Sequence, residues 1–158
     1  TGLYHRHHFF NAAREVYRSA NEKSSPLALA VINLDHFREL NEQYGHEWGD
    51  VALKHAAQCL NNMLDRFLIC RADADDFFVL LPGLDNEKAV SLISRVRQLL
   101  SSEECVINGE SKRLYFSAGV SNYMQDGVDS QIKNATHLLQ LAKEAGGNMV
   151  LGDDDAND

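Results

Sequence analysis

The chain has 158 residues, 44% apolar and 24% charged, with a formal net charge of −8, which fits one domain of ordinary size with enough apolar residues for a core. The acidic balance, without a basic stripe, argues against nucleic acid as a partner. No apolar run approaches the ~18 residues of a membrane span, so no membrane contact is expected from this segment. Cys59, Cys70 and Cys105 are widely spaced, lack metal-ligand spacing and are odd in number; they read as reduced, buried thiols of a cytoplasmic protein.

Phe9 to Asn21 reads as a helix with Phe9, Ala12, Ala13, Val16 and Ala20 on one face, broken by Ser24-Ser25-Pro26. Leu27 to Leu34 is a nearly continuous apolar run, as in a strand buried on both faces. A short helix is expected from His36 to Gln43, ended by Gly45. Asp50 is an N-cap candidate for the next helix, where Leu53, Ala56, Ala57, Leu60 and Leu64 recur at helical spacing. Arg66 to Arg71 and Phe77 to Leu81 read as two strands of a hairpin around an acidic turn. Ala89, Leu92, Ile93, Val96, Leu99 and Leu100 mark the clearest helix, with Asp85 and Glu87 at its start, where the helix dipole favours acids. Glu104 to Ile107 and Arg113 to Ser117 flank Asn108-Gly109, a hairpin turn signal, and Ala118 to Ser121 is expected to continue the second strand. Ile132, Ala135, Leu138, Leu139 and Ala142 form a last helix stopped by Gly146-Gly147, before a short strand from Asn148 to Leu151. The order, αβααββαβββαβ, is that of a mixed α/β domain with antiparallel hairpins. Asp153, Asp154, Asp155 and Asp158 crowd the last six positions, which predicts a solvated tail or linker over 153–158 after a domain of residues 1–152. The start without Met and the polar end read as a domain cut from a longer protein.

Several separated segments resemble one family in order and spacing. Thr1-Gly2-Leu3-Tyr4-His5-Arg6-His7-His8-Phe9 is similar to the TGLxNRRxF opening of GGDEF (diguanylate cyclase-type) domains. Asn33 to Asn41 is similar to their DxDxFKxxN block, followed by Tyr44-Gly45-His46 and Gly49-Asp50. Arg71-Ala72-Asp73-Ala74-Asp75-Asp76-Phe77 falls where RYGGDEF is expected, Ser117-Ala118-Gly119-Val120 resembles SIGV, and Ala142 to Asn148 resembles AKxxGRN. The resemblance implies a nucleotidyl-cyclase palm-like α/β fold. It has a central mixed, largely antiparallel sheet of about five strands flanked by helices, plus a small hairpin.

It also implies a chemistry. Active members join two GTP molecules into cyclic di-GMP by attack of a 3′-hydroxyl on an α-phosphate, assisted by Mg²⁺ or Mn²⁺. Hard cations want oxygen ligands, and the resemblance places metal carboxylates at positions 33 and 75. Asp75 keeps one. Asn33 offers an amide oxygen without charge, so the metal site is expected to be weakened; taken alone, Asn33 is a polar residue at a strand end. Asp75 and Asp76 are the catalytic positions of a signature loop completed by Asp73, Ala74 and Phe77, and the loop is expected to be non-functional. Asp73 and Ala74 replace glycines in a tight turn. A carboxylate at Asp73 would repel phosphate by on the order of several kcal/mol. Taken alone, acids in a turn are solvated turn residues.

For nucleotide binding, Asn41 and Asp50 match the guanine-reading pair, Arg38 the basic residue of the FK block beside Phe37, and Lys143 the phosphate-binding lysine. The arginine position of AKxxGRN is Gly147, which removes a bidentate phosphate clamp. Read without the family, Asp50 is a cap, Asn41 an ordinary helix-end residue, Phe37 core, and Lys143 a cation in a helix's last turn. The product-inhibition positions are Leu64 and Phe67, both apolar, so no such site is expected. His5, His7 and His8 could hold Zn²⁺ or Ni²⁺; the reading taken is substitution within the opening loop.

The function implied is a cyclic di-GMP signalling domain without turnover, acting as a regulatory, GTP-sensing or interaction module. The alternative is a weak diguanylate cyclase. The implied cofactor is Mg²⁺ or Mn²⁺ with GTP if nucleotide binds, and otherwise none. The implied partners are an adjoining EAL phosphodiesterase or sensor domain, GTP, and a second copy of the domain. The location expected is the cytoplasm, including the cytoplasmic part of a membrane-anchored protein.

Overall fold

The computed structural model describes residues 5–72 and 75–156. The elements are α1 (Arg6–Lys23), β1 (Leu27–Leu34), α2 (Phe37–Tyr44), α3 (His46–Met63), β2 (Leu68–Arg71), β3 (Asp76–Pro82), α4 (Asn86–Ser102), β4 (Glu104–Ile107), β5 (Glu110–Arg113), β6 (Phe116–Ser121), α5 (Val128–Glu144), β7 (Val150–Gly152) and α6 (Asp153–Ala156). Five strands form a central sheet in the order β2-β3-β1-β6-β7, with β4 and β5 as a separate ribbon. Among the described residues only the β6–β7 pair is parallel; β1 pairs antiparallel with both β3 and β6. The α/β palm-like architecture expected from the sequence is the one observed.

The apolar run of β1 is explained by the pleat, since successive side chains point to opposite faces. Ala28, Ala30, Ile32 and Leu34 join one core with residues of α3 and α4, such as Leu53, Leu60, Ile93 and Val96. Leu27, Leu29 and Val31 join a second core with Phe9 and Ala13 of α1 and Ala135 and Leu139 of α5. Helices thus cover both faces of the sheet, and β1 sits between two apolar layers. Its one less buried residue is Asn33, near the C-terminal end of the strand.

Some local expectations need correction. Asp50 caps no helix. The N-cap of α3 is Gly45, whose φ of +93° lets the chain leave α2 and enter α3 directly, a conformation that suits glycine. Asp50 is therefore the fifth residue of α3 and exposed. The strand expected from Arg113 through Ser121 is two strands. β5 ends at Arg113, and β6 starts at Phe116 in the central sheet. Leu114 between them is buried in the core, and the Tyr115 carbonyl accepts a hydrogen bond from Asp35 N at 2.8 Å, which pulls the chain off the ribbon. The Asn108-Gly109 turn is as expected, with φ of +52° and +82°, the geometry of a two-residue hairpin loop. The last strand begins at Val150 because Asn148 has a φ of +50°. The acidic run begins as the helical turn α6: Asp153 accepts from Asn122 N at 2.7 Å and from Asn134 Nδ2 at 2.6 Å, and Asp155 from Gly152 N at 2.8 Å.

Candidate functional site

The C-terminal end of β1 brings the expected site residues together. In the antiparallel register Asn33 lies opposite Asp76 at the start of β3 and opposite Ser117 in β6. Beyond β1 the chain turns through Asp35 and His36 into α2, with His36 at a φ of +58°. On the far side α5 ends at Lys143 and Glu144, and Gly146 and Gly147, with φ of +122° and +77°, carry the chain back toward β1. Gly147 N donates to Ala142 O at 3.0 Å, which closes the helix end as glycine-rich C-caps do.

These segments enclose a cleft of about 720 Å³ whose lining includes Asn33, Asp35, Arg38, Asp75, Asp76, Lys143 and Gly147. Thus Asn33, Asp75, Asp76, Arg38 and Lys143 share one site. Asn41 and Asp50 do not line it; they lie on α2 and α3, where Asn41 meets Gly49, the neighbour of Asp50. A Cβ on Gly49 would fall 1.9 Å from Asn41 Oδ1, so any larger residue there would require the Asn41 side chain to move. That Oδ1 is buried and has no hydrogen-bond partner among the described residues. Phe77 is fully buried, Phe37 and Leu64 are buried in the core, and Phe67 is partly buried against the same core. Asp73 and Ala74 lie outside the described residues. His5, His7 and His8 are exposed at the start of α1, and His7 Nε2 lies 3.2 Å from Asn11 Nδ2.

Asp35 has no role in the sequence reading, although it is the second acid of the DxD-like block. The structure makes it the organising residue of the cleft. Its side chain is 7% exposed. It accepts from Ser117 Oγ at 2.8 Å, from Asn148 N at 2.6 Å and from Lys143 Nζ at 3.3 Å. Lys143 also donates to Leu34 O at 3.5 Å. A buried carboxylate must be paired in this way, and here the pairing consumes the lysine that the resemblance assigns to phosphate.

Asn33 is similarly engaged. Its Nδ2 donates to Asp76 Oδ1 at 2.7 Å and to Asp75 O at 3.3 Å. Both neighbours are acceptors, so the NH₂ group must face them, which settles the orientation of the amide. The implied divalent cation does not fit this arrangement. The Asn33 atom turned toward the acids is a donor, and among the described residues no cluster of three or more His, Cys, Asp or Glu is placed to hold a metal.

The comparisons with known proteins agree with the sheet and the helices that flank it. The family model described as "Diguanylate cyclase, GGDEF domain" matches residues 1–149. An uncharacterized membrane protein of Staphylococcus epidermidis is 31% identical over 156 residues, covering 96% of this chain and 44% of that protein. The chain thus spans less than half the length of this relative. Among solved structures, a sensory box/GGDEF family protein from Caulobacter crescentus is 30% identical with a TM-score of 0.82, covering 92% of this chain and 96% of that one. The GGDEF domain of DgcB from the same organism, solved in complex with c-di-GMP, shares the fold with a TM-score of 0.90 at 22% identity, covering 96% of this chain and 89% of that one. With the family model spanning all but the last nine residues, and the same fold recurring in these structures, the chain belongs to the GGDEF family.

Proposed function

We propose that the chain is a regulatory module of cyclic di-GMP signalling that has lost cyclase turnover and acts through an adjoining domain. GTP, where it binds, is held by its base more than by its phosphates. The observation that carries this reading is the pairing of Lys143 with Asp35 at 3.3 Å, together with glycine at position 147. A triphosphate would have to take Lys143 from a buried carboxylate and would find no arginine beside it. The rest of the lining works in the same direction: Asp35, Glu39, Asp75 and Asp76 outnumber Arg38 and Lys143, so polyphosphate meets net negative charge. Base recognition rests on the match of Asn41 and Asp50 to the guanine-reading pair; the buried Asn41 Oδ1 lies against Gly49 and would have to be uncovered to meet an amino group of a ligand. Asp50, freed from any capping role, is one residue from Gly49, against which Asn41 packs.

The adjoining domain is proposed to be a sensor or EAL phosphodiesterase domain, with a second copy of the chain as a further partner. The sensory box/GGDEF protein of Caulobacter crescentus supports a sensor, and the membrane protein of Staphylococcus epidermidis, of which this chain covers 44%, supports a further segment beside the domain. No helix among the described residues is long and apolar enough to cross a membrane; the cytoplasmic side of any anchor is proposed from the cyclic di-GMP signalling role alone. The weak-cyclase reading is favoured by one observation, the convergence of Arg38, Lys143, Asp75 and Asp76 on one cleft. Incubation of the purified chain with GTP and Mg²⁺ or Mn²⁺, with products separated by chromatography, decides between them: no cyclic di-GMP is expected, and robust formation would overturn the proposal. Calorimetry with GTP separates a sensing role, which requires binding, from an interaction module with a vestigial pocket.

A further inference from the structure

We infer that the Asn33 amide takes the place of a divalent cation, so that the acidic end of this cleft is held together without metal. The inference concerns the same cleft as the proposed function but stands on the Asn33–Asp76 contact, so the two can fail separately. Asn33 and Asp76 are cross-strand partners in the β1–β3 ladder, and the strand register fixes how close their side chains come. Two carboxylates at these positions would meet at hydrogen-bonding distance and repel, unless a cation lay between them. Asn33 removes one charge and supplies a donor in its stead. The Nδ2 group is 2.7 Å from Asp76 Oδ1 and 3.3 Å from the Asp75 carbonyl, so both its hydrogens have acceptors. The pair is partly buried, where a donor–carboxylate bond is stronger than in water. An incoming cation would have to break this bond and would gain only a neutral ligand from position 33. Ligand charge sets the affinity of such sites.

The test compares thermal unfolding of the 158-residue chain and of Asn33→Asp and Asn33→Ala, each in EDTA and in millimolar MnCl₂, with Mn²⁺ binding followed by electron paramagnetic resonance. The wild-type midpoint is expected to be the same in both media. Asn33→Asp should unfold ~5 °C or more lower in EDTA, recover most of that in MnCl₂, and bind Mn²⁺ about 10-fold more tightly than wild type. Asn33→Ala, which loses the bond without adding charge, should be less stable in both media and indifferent to Mn²⁺. The acidic residues after 152 are common to all three proteins, so only differences between them are read. A wild-type chain stabilised by Mn²⁺ as much as Asn33→Asp would overturn the inference, as would an Asn33→Asp variant as stable as wild type in EDTA. If Asn33→Asp folds in neither medium, the wild-type titration decides: tight binding that Asn33→Ala abolishes overturns the inference, and binding no tighter than that of Asn33→Ala upholds it.

Discussion

Replacing Asp35 with alanine should loosen the whole cleft, and its cost can be worked from the structure. The 7%-exposed carboxylate accepts from Ser117 Oγ, Asn148 N and Lys143 Nζ at 2.8, 2.6 and 3.3 Å. Hydrogen bonds to a charged group contribute ~1.5–3 kcal/mol each but do not add. Breaking a buried ion pair from one side costs ~3–5 kcal/mol. That figure must be discounted here, because the Lys143 side chain is 29% exposed and water can take over its charge. Ser117 is fully buried and keeps an unsatisfied hydroxyl. The net expectation is about 2–4 kcal/mol, or roughly 5–15 °C in the midpoint for a domain of this size. Asp35→Asn, which keeps an acceptor for Ser117 and Asn148, should lose about half as much. Urea unfolding followed by circular dichroism reads both, with the slope unchanged if only stability moves. An Asp35→Ala chain within ~0.5 kcal/mol of wild type would refute the view that this residue ties β1, β6 and the Gly146-Gly147 loop together.

Other expectations follow from close contacts and burial. Gly119→Ala should be severely destabilising, by ~3 kcal/mol or more: its Cβ would lie 2.0 Å from Ala135 O and 2.5 Å from Leu139 N, backbone atoms of α5 that cannot yield; a soluble variant with a wild-type urea midpoint would contradict this. Gly147→Arg should cost ~1–2 kcal/mol, because φ is +77° and the Cβ would sit 3.2 Å from the Asp35 carboxylate; a gain in stability would show that the loop accepts the side chain. Burial, and secondarily the Glu103 charge, push the Cys59 thiol up to about 11, and burial raises Cys105 as well. Both should react slowly with a disulfide reagent at pH 8 until urea unfolds the chain. Because the folded chain holds the Cys59 proton more tightly, the stability it contributes is complete below the unfolded thiol value near ~8.5 and is lost as pH rises to about 11. Cys59→Ala should therefore show a smaller fall in urea midpoint across that window.

The fold was legible because its signals are periodic. β1 is a run of apolar residues serving two cores, α4 and α5 repeat at helical spacing, and Asn-Gly at 108–109 can hardly be anything but a tight hairpin. What escaped was governed by single backbone conformations and long-range contacts. The start of α3 depends on Gly45 at positive φ rather than on an acidic cap. The break between β5 and β6 depends on a hydrogen bond from Asp35 to Tyr115, which no local pattern encodes. In the site, Asn33, Arg38, Asp75, Asp76 and Lys143 were found by matching motifs, and the cleft unites them. Asp35 was missed because its partners, Ser117, Lys143 and Asn148, lie more than eighty positions away in sequence. A motif locates residues, but only the fold shows that two of them, Lys143 and Asn33, are already engaged with neighbouring acids.

That engagement makes a definite prediction about repair. Suppose the three most visible departures are reverted together: Asn33→Asp, Asp73→Gly and Ala74→Gly. Charge returns at position 33 and the signature regains its glycines, so a response to Mn²⁺ should appear in thermal unfolding. Cyclic di-GMP formation should still not become robust. Lys143 remains paired with Asp35, and no guanidinium stands at position 147, so the phosphates lack two of the cations that would hold them in line. Binding groups of this kind are worth orders of magnitude in rate when charge develops on phosphate oxygens. Chromatography of GTP reactions with the triple variant reads the outcome. Robust turnover would mean that Lys143 leaves Asp35 readily when a triphosphate arrives, and that the ion pair is no barrier to use of the cleft. Turnover appearing only after Gly147→Arg is added would place the decisive loss at the far end of α5 rather than in the signature loop.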